Sequence, residues 1–212
     1  MSKRITSLLS LVVLLGSMDA STARPDDNKT AYMTVTSRTS QPIGHYEFCL
    51  EHQSECTVRS VSPKPVRLTP PLWNELAAIN DAVNLAVAPK TDMELYGVEE
   101  YWAYPTTAGD CEDYVLLKRR DLIEKGWPAS ALLITVVRQR NGDGHAVLTV
   151  RTDRGDLVLD NLEGRIMVWA DTDYQYVKRQ SEYDSGQWMA ITDGRSSAVA
   201  GISKAAHLDS VR

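Results

Sequence analysis

The sequence predicts an α+β fold in which a helix packs on an antiparallel β-sheet. Residues 70–88 carry apolar side chains at helical spacing, and a second helical segment begins at Cys111 and stops at Gly126. Three segments rich in β-branched residues follow, separated by short turns. Strands joined by such turns pair in antiparallel order, so the later part of the chain is expected to form a sheet that covers the apolar faces of the helices.

The N-terminal residues have the three parts of a secretory signal peptide. Two basic residues come first, residues 5–18 are uncharged and mostly apolar, and Ser21 and Ala23 are the small residues that signal peptidase requires. The apolar run is shorter than the roughly 20 residues of a membrane span, which disfavours the alternative of an uncleaved anchor. We therefore expect residues 1–23 to be removed and the mature protein to lie in the periplasm or outside the cell.

The composition of the whole chain predicts one globular domain. The 212 residues are 43% hydrophobic and 24% charged, which is typical of a protein with one sizeable core. The net charge is -5 and basic residues form only short pairs, which excludes a nucleic-acid footprint. We expect the domain to span residues 24–191 and the Ser/Ala/Gly-rich residues 192–212 to form a poorly ordered tail.

Export determines how the cysteines are interpreted. Cys49 and Cys56 have six residues between them, and an oxidising compartment pairs thiols that lie near each other. Closing this loop with a disulfide would contribute about 2.5 kcal/mol in the chain-entropy model. Cys111 is then left over, and a leftover thiol in an exported protein either forms an intermolecular bond or is kept free for chemistry.

One irregular region, one helix and one aromatic segment are predicted before Cys111. Residues 32–67 have no helical period, which favours loops with one or two short strands. Thr69 is the expected cap of the helix that Pro70 opens. The apolar face of this helix consists of Leu72, Leu76, Ile79, Val83 and Val87. Residues 91–108 are rich in aromatic rings, which either line a substrate cleft or pack against neighbouring elements.

The predicted sheet begins with an antiparallel meander. Its strands are residues 132–139, 145–152 and 157–162, separated by turns at Asn141–Gly144 and Asp153–Asp156. Further strands are predicted at residues 165–169 and 187–191, joined by a polar, tyrosine-bearing loop at residues 170–186. Most of the sheet is therefore expected to follow the Cys111 helix in the chain.

Cys111 is the candidate nucleophile. It follows a break at Gly109 and begins a helix, and it shares a helix face with Val115 and Leu122. Free N–H groups and the positive end of the helix dipole favour a thiolate there, and they can lower a cysteine pKa well below about 8.5. The alternative is a buried structural cysteine. The helix-start setting favours chemistry.

His145 and Asp160 are the candidates for the base and for the acid that orients it, the two groups that a cysteine nucleophile needs. Of the four histidines, only His145 begins a predicted strand. If the turn pairs Thr152 with Leu157, residues 145 and 160 share a face of the hairpin. They would still lie several residues apart along the strands, so a bulge or a bend at the strand end must bring them together. The alternative role for Asp160 is a turn acid that bonds backbone N–H groups.

Five segments of the chain form a pattern that is specific in order and spacing. They are Tyr96-Gly97, Tyr101-Trp102, Gly109-Asp110-Cys111-Glu112-Asp113-Tyr114, His145-Ala146-Val147-Leu148 and Leu157-Val158-Leu159-Asp160-Asn161-Leu162. The pattern resembles the bacterial transglutaminase-like cysteine proteinases over about residues 40–191. The resemblance implies a papain-like or transglutaminase-like fold, with Cys111 as nucleophile, His145 as base and Asp160 as the orienting acid.

The resemblance also implies a metal, partners and a location. The best-known members are periplasmic, calcium-dependent proteases of the LapG type that cut large adhesins from the cell surface and so control biofilm attachment. By this resemblance Asp110, Glu112 and Asp113 would bind calcium, a protein such as a surface adhesin would be the substrate, and an inner-membrane regulator would be a partner. Without the resemblance, the three acids would be interpreted as favourable helix electrostatics.

The implied reaction is acyl transfer from an amide. The Cys111 thiolate attacks the carbonyl, His145 shuttles the proton, the Cys111 N–H stabilises the oxyanion, and water resolves the thioester. Transglutamination, with an amine as acceptor, has the same first half-reaction and is one alternative. Another is a non-catalytic, calcium-stabilised binding domain, against which the intact Cys, His and Asp argue.

Overall fold

The computed structural model of the protein describes residues 31–193. In chain order the elements are β1 (Thr34–Thr39), α1 (Ile43–Glu51), α2 (Gln53–Cys56), α3 (Pro70–Ala86), β2 (Ala88–Pro89), α4 (Asp92–Tyr96), β3 (Ala108–Gly109), α5 (Cys111–Glu124), β4 (Leu132–Arg138), β5 (Gly144–Thr152), β6 (Gly155–Leu159), β7 (Met167–Val168), β8 (Gln175–Gln180) and β9 (Trp188–Thr192), with 3-10 turns at Ala129–Ala131 and Trp169–Asp171. The predicted signal peptide at residues 1–23, and all but the first two residues of the predicted tail at residues 192–212, lie outside the described range. None of the helices within that range is long and apolar enough to cross a membrane.

A seven-stranded antiparallel sheet confirms the predicted α+β architecture. Its strand order is β1-β9-β8-β4-β5-β6-β7, and β4, β5 and β6 pair as the predicted consecutive hairpins. Thr152 pairs with Gly155 and not with Leu157, because Asp153 and Arg154 close a two-residue turn. The register differs from the expected one by two residues, so the parity of the pairing is unchanged.

Helices α3 and α5 pack on each other, and α5 also packs on β5. Both bury the faces that their spacing predicts, through Leu76, Val83, Val115 and Leu122. Thr69 occupies the N-cap position of α3, although its side chain makes no capping hydrogen bond. Gly126 follows α5 with a φ of 96°, the left-handed conformation that favours glycine at a helix end.

Alternate residues of β5 contact two different clusters of the core. Ala146, Leu148 and Val150 belong to the cluster on the side of α3 and α5. Val147 belongs to a second cluster, together with Val158. Because both faces of these strands are buried, their sequences are apolar runs without polar alternation.

The region of residues 32–67, predicted to be loops and short strands, contains two helices in addition to β1. Helix α1 includes several residues of weak helix propensity, and its exposed side carries Ile43 and Leu50 while His45 is buried. The apolar residues therefore have no helical period that a sequence reading detects. Tertiary contacts hold the helix, since the His45 ring packs between those of Trp102 and Trp188.

The predicted disulfide is present and joins α1 to α2. Cys49 and Cys56 are bonded, with their Cα atoms 5.7 Å apart. Helix α2 is also tied to α5, because Nη1 of Arg119 lies 2.7 Å from Oε2 of Glu55. The covalent and ionic links together hold the α1–α2 region against the helical side of the sheet.

Strand β8 lies in the segment that was predicted to be a polar loop, residues 170–186. It pairs with both β4 and β9, so it occupies the middle of the sheet. Its side chains Arg179 and Gln180 are buried, and Oε1 of Gln180 accepts a hydrogen bond from the Ile134 N–H at 3.0 Å. A strand that buries polar side chains lacks the apolar alternation by which strands are recognised in a sequence.

Candidate active site

Cys111 occupies the first helical position of α5, after Asp110 as the N-cap residue. Its side chain is partly buried against the main core cluster. The backbone N–H of Ala146 faces its sulfur and favours the thiolate. Because Ala146 follows His145 at the start of β5, Cys111 and His145 are brought to the same end of the sheet. All three cysteines lie in the described range, and Cys111 is the one without a disulfide partner.

The thiol of Cys111 is held in its protonated form in this arrangement. Its Sγ donates a hydrogen bond to Oε2 of Glu112 at 3.0 Å. Burial, followed by the negative charge of Glu112 and this hydrogen bond, raises the pKa of Cys111 far above its usual value, and the Ala146 N–H opposes the rise only in part. The surroundings of Cys111 therefore raise the pKa that the helix start was expected to lower. The helix dipole supplies only about half a charge, and burial and an adjacent carboxylate outweigh it.

His145 and Asp160 form a buried pair. Nε2 of His145 lies 2.8 Å from Oδ1 of Asp160. Both residues are at most 5% exposed. Burial alone would raise the pKa of Asp160, but the hydrogen bond and charge of His145, with further bonds from Tyr174 and the Leu162 N–H, hold it below its usual value. The carboxylate is therefore ionised and accepts the Nε2 proton of the ring.

A bend at the end of β6 brings the pair together, as the strand register requires. The strand ends at Leu159, so Asp160 is the first residue outside the ladder. Its Oδ1 accepts a hydrogen bond from the Leu162 N–H at 3.0 Å. This bond between an aspartate side chain and the backbone two residues later forms a tight turn at the end of the strand. Asn84 on α3 donates from Nδ2 to the Asp160 carbonyl at 2.8 Å and holds this bend against the helix.

Tyr174 is a member of the site that the sequence did not indicate. Its hydroxyl donates to Oδ2 of Asp160 at 2.5 Å, and its ring centroid is 5.4 Å from that of His145. Tyr174 immediately precedes β8. The sequence predicts a loop for residues 170–186. The tyrosines of that loop are its one unusual feature, and they do not show which residue Tyr174 would contact.

An acid cluster lies beside Cys111, made of Asp92 at the start of α4, Asp110 at the N-cap of α5 and Asp113 in the first turn of α5. One carboxylate oxygen from each lies within 4.8 Å of the others. Asp92 Oδ1, Asp110 Oδ1 and Asp113 Oδ2 are buried and have no hydrogen-bond partner among the described residues. Of the predicted calcium ligands, Asp110 and Asp113 meet in this cluster, whereas Glu112 contacts Cys111 and Asp110.

The sequence does not identify Asp92 as a site residue, although a local signal marks its position. It follows Thr91, whose side chain forms a capping box with Glu94 at the start of α4. The motif Thr-x-x-Glu identifies such a helix start in a sequence. Nothing local indicates that this start contacts the start of α5, where the Asp92 N–H donates to Oδ2 of Asp110 at 3.3 Å.

Burial first, and then the charge of neighbouring acids, raises the pKa values of these carboxyl groups. Burial raises the pKa of Asp92 to about 6 and that of Asp113 to about 7, and the charge of Asp110 adds to both shifts. Burial and the charge of Asp110 raise the pKa of Glu112 to about 9. Unpartnered buried oxygens in a repelling group are the donor set that a hard cation such as calcium prefers.

A groove of about 810 Å³ lies elsewhere on the molecule. It is lined by the start of α3, by the turn residue Arg154 and by residues 165–168. Cys111, His145 and Asp160 are not part of its lining. This groove and the three reactive groups are therefore separate features of the molecule.

The sequence profile of one family matches most of the chain. The family is described as bacterial transglutaminase-like cysteine proteinase, and the match covers residues 35–196. No curated protein sequence matches the chain. The matched range includes the disulfide, α5 and the strands that carry His145 and precede Asp160.

Solved structures of LapG from Legionella pneumophila are similar to the chain. The calcium-bound form has a TM-score of 0.50 at 24% identity, covering 73% of this chain and 84% of that one. A further LapG structure has a TM-score of 0.49 at 28% identity, covering 61% and 74%. The EGTA-treated form has a TM-score of 0.48 at 27% identity, covering 61% and 75%. The similarity to the calcium-bound form confirms the fold.

Proposed function

This chain belongs to the bacterial transglutaminase-like cysteine proteinase family, and from that premise we propose that it is an exported endopeptidase that cuts a protein substrate with a Cys111–His145–Asp160 triad. The family makes it a cysteine protease. The buried contact of His145 Nε2 with Asp160 Oδ1 at 2.8 Å, at the end of the sheet where Cys111 begins α5, carries the assignment of residues. Such a pair is the arrangement that a base and its orienting acid need.

The pairing assigns a role to each nitrogen of His145. Nε2–H donates to Asp160, so Nδ1 carries the lone pair that accepts the proton of Cys111 Sγ. The thiolate attacks the peptide carbonyl, and the imidazolium returns the proton to the departing amine. Water then attacks the thioester as His145 accepts its proton, and that proton returns to the sulfur. The N–H groups at the start of α5 stabilise the oxyanion in both halves.

Glu112 controls whether the first step of this reaction can occur. While Glu112 Oε2 accepts the hydrogen bond of Cys111 Sγ, the thiol proton is unavailable to His145. Glu112 also bonds the side chain of Asp110, so the same carboxyl group links the nucleophile to the acid cluster. Release of the sulfur by Glu112 is thus the first requirement for activity.

The acid cluster supports calcium as the resident metal. Asp92, Asp110 and Asp113 would hold the ion through their unpartnered oxygens, with Glu112 at the edge of the group. Calcium takes six to eight oxygen ligands, so backbone carbonyls and water would complete the set. When bound, the ion supplies the positive charge that these acids lack beside the nucleophile.

The proposal extends to location and partners. Residues 1–23 would direct export to the periplasm, residues 24–191 would form the protease domain, and residues 192–212 would be a tail. The substrate would be a protein outside the cytoplasm, with a surface adhesin as the specific case. Its release would control biofilm attachment, and an inner-membrane regulator would bind the protease.

The test is to find the bond that the protein cuts. Purified residues 24–212 are added to whole cells of the source organism, and new protein N-termini are identified by mass spectrometry. We expect new termini in an exported protein with the wild-type chain and none with Cys111→Ala or His145→Ala. Asp160→Asn should lower the rate on the order of 10²–10⁴-fold, because the amide no longer holds the imidazole in the tautomer that leaves Nδ1 free to accept a proton.

A matched control uses His52, a half-buried histidine outside the site. His52→Gln should retain cleavage, since the His52 ring packs against the rings of Phe48 and Tyr104 and not against the triad. The same new termini with Cys111→Ala would refute the assignment of the nucleophile. An Asp160→Asn variant with full activity would mean that another group orients His145.

A further inference from the structure

Strand β6 ends before its partner β5 does. Leu159 is its last residue and pairs with Leu148, whereas β5 begins at Gly144, so residues 144–147 extend beyond the end of β6. If β6 continued in the same register, Asp160 would lie opposite Val147, and His145 would be its diagonal neighbour. Diagonal neighbours in such a pair lie about 7–8 Å apart. The early end of β6 is therefore a feature on which the contact between His145 and Asp160 depends.

The Asp160 carboxylate serves two partners at once. Its Oδ1 lies 2.8 Å from Nε2 of His145, and its Oδ2 accepts a hydrogen bond from the Tyr174 hydroxyl at 2.5 Å. One orientation of the side chain has to satisfy both contacts. The position of the Asp160 backbone, where the chain leaves the ladder, therefore has to be fixed.

Two hydrogen bonds fix this exit. The Leu162 N–H donates to Oδ1 of Asp160 at 3.0 Å and so depends on the carboxylate itself. Nδ2 of Asn84 donates to the Asp160 carbonyl at 2.8 Å and comes from α3, outside the sheet. A carbonyl oxygen only accepts, so the amide nitrogen of Asn84 must face it. Because α3 packs on one face of the sheet, this bond directs the carbonyl out of the ladder.

Asn80 makes the same kind of bond to the same loop. It lies one turn earlier on α3, and its Nδ2 donates to the Gly164 carbonyl at 3.0 Å. Its side chain is 0% exposed, whereas Asn84 is half-buried. Helix α3 therefore holds the loop at two points. The bond of Asn84 lies on the residue that carries the triad carboxylate, and the bond of Asn80 lies beyond it.

We propose that Asn84 is a positioning residue of the protease, whose amide ends β6 at Leu159 and so sets the Asp160 carboxylate against His145. The inference rests on the proposed triad. Without this donor the Asp160 carbonyl is free to extend the ladder, and the carboxylate moves toward the diagonal position. Asn84 bonds the backbone of Asp160 and not the reacting atoms, so its loss should act on the chemical step and not on substrate binding.

The experiment compares the wild-type chain with Asn84→Ala, Asn84→Asp and the matched control Asn80→Ala. The substrate is a peptide spanning the bond identified in the whole-cell test, and kcat, KM and Tm are measured at pH 7.5. For both Asn84 variants we expect kcat to fall on the order of 10–10²-fold with KM close to the wild-type value, because displacements of about 1 Å cost that much. Asn84→Asp keeps the shape of the side chain and removes the donor.

Asn80→Ala should keep kcat close to the wild-type value. Both alanine variants lose one amide–carbonyl hydrogen bond between α3 and the loop, so both should lower Tm. The drop in Tm thus measures what the two residues share. The drop in kcat measures what belongs to Asn84.

NMR of ¹⁵N-histidine-labelled protein gives a readout that needs no substrate. His145 is 5% exposed, and its Nε2–H donates to a carboxylate, so the wild-type chain should show a far-downfield proton that is absent from His145→Ala. We expect this resonance to move upfield or vanish in both Asn84 variants. It should stay in place in Asn80→Ala.

Each outcome decides the inference. A wild-type resonance and kcat in either folded Asn84 variant would overturn it, as would equal losses of kcat in Asn84→Ala and Asn80→Ala. If Asn84→Ala does not fold, the isosteric Asn84→Asp decides, and failure of both to fold would show a structural role and overturn the inference as well. A wild-type chain that shows the resonance and cuts nothing refutes the proposed function, whereas the resonances of the variants still decide whether Asn84 positions the pair.

Discussion

Removal of calcium should destabilise this protein more at pH 7.5 than at pH 5. Burial raises the pKa of Asp92 to about 6 and that of Asp113 to about 7, whereas in the unfolded chain both groups ionise near pH 4. A carboxyl group with a raised pKa holds its proton longer in the folded state. Between about pH 4 and 7 the ion-free protein therefore loses stability as the pH rises. A bound cation removes this penalty, so its effect grows over the same range.

Asp113 sets the magnitude, because its side chain is fully buried at 0% exposure. A rise in its pKa from 3.8 to about 7 corresponds to at most about 4 kcal/mol, at roughly 1.4 kcal/mol per unit. Because the neighbouring acids share protons, the part of this free energy that a bound cation can recover is smaller. Calcium at about 100 times its Kd contributes about 2.7 kcal/mol. For a domain of this size that shifts Tm by about 5–10 °C.

The assay is thermal unfolding at both pH values, in chelator, magnesium and calcium. We expect the difference in Tm between calcium and chelator to be several degrees at pH 7.5 and much smaller at pH 5. Magnesium should restore little, because it demands tighter octahedral geometry. Asp113→Asn should raise Tm in chelator at pH 7.5 and abolish the calcium response. Glu124→Gln, at the exposed end of the same helix, should change neither.

Two results would contradict this reasoning. A calcium effect of equal size at both pH values would mean that the buried acids are not the groups neutralised. The absence of any calcium effect, with unchanged cleavage in chelator, would mean that the acids only complement the dipole of α5.

Three further changes have defined outcomes. Tyr174→Phe removes the donor to Oδ2 of Asp160, so the pKa of Asp160 should rise and the acid limb of kcat/KM should move up with it, and an unmoved limb would exclude Tyr174 from the site. Reduction of the α1–α2 disulfide should lower the unfolding free energy in urea by about 2–2.5 kcal/mol with little loss of activity. Gly109→Ala would place a Cβ 2.4 Å from Oδ2 of Asp113 and should abolish the calcium response in calorimetry, whereas Gly164→Ala, with nothing within 4 Å, should not.

Elements with local signals were predicted correctly. The sequence signals for helix α5 are a Gly-Asp-Cys break at its start and Gly126 after its end. Both signals lie next to the helix in the chain. The meander of β4 to β6 follows from apolar runs separated by turn residues. Helix α1 and strand β8 were missed because their stability comes from distant contacts, such as those of His45 with Trp188 and of Gln180 with Ile134.

The same division applies to the site. The sequence determined the candidate nucleophile, base and acid, because strand parity is a local property that a register shift of two residues leaves unchanged. Tertiary structure alone decided that Tyr174 completes the bonding of Asp160 and that Asp92 joins Asp110 and Asp113. Tertiary structure also reversed the direction in which the pKa of the Cys111 thiol was expected to shift. A helix dipole can be read from sequence, whereas burial and the direction of a neighbouring carboxylate depend on how the whole chain packs.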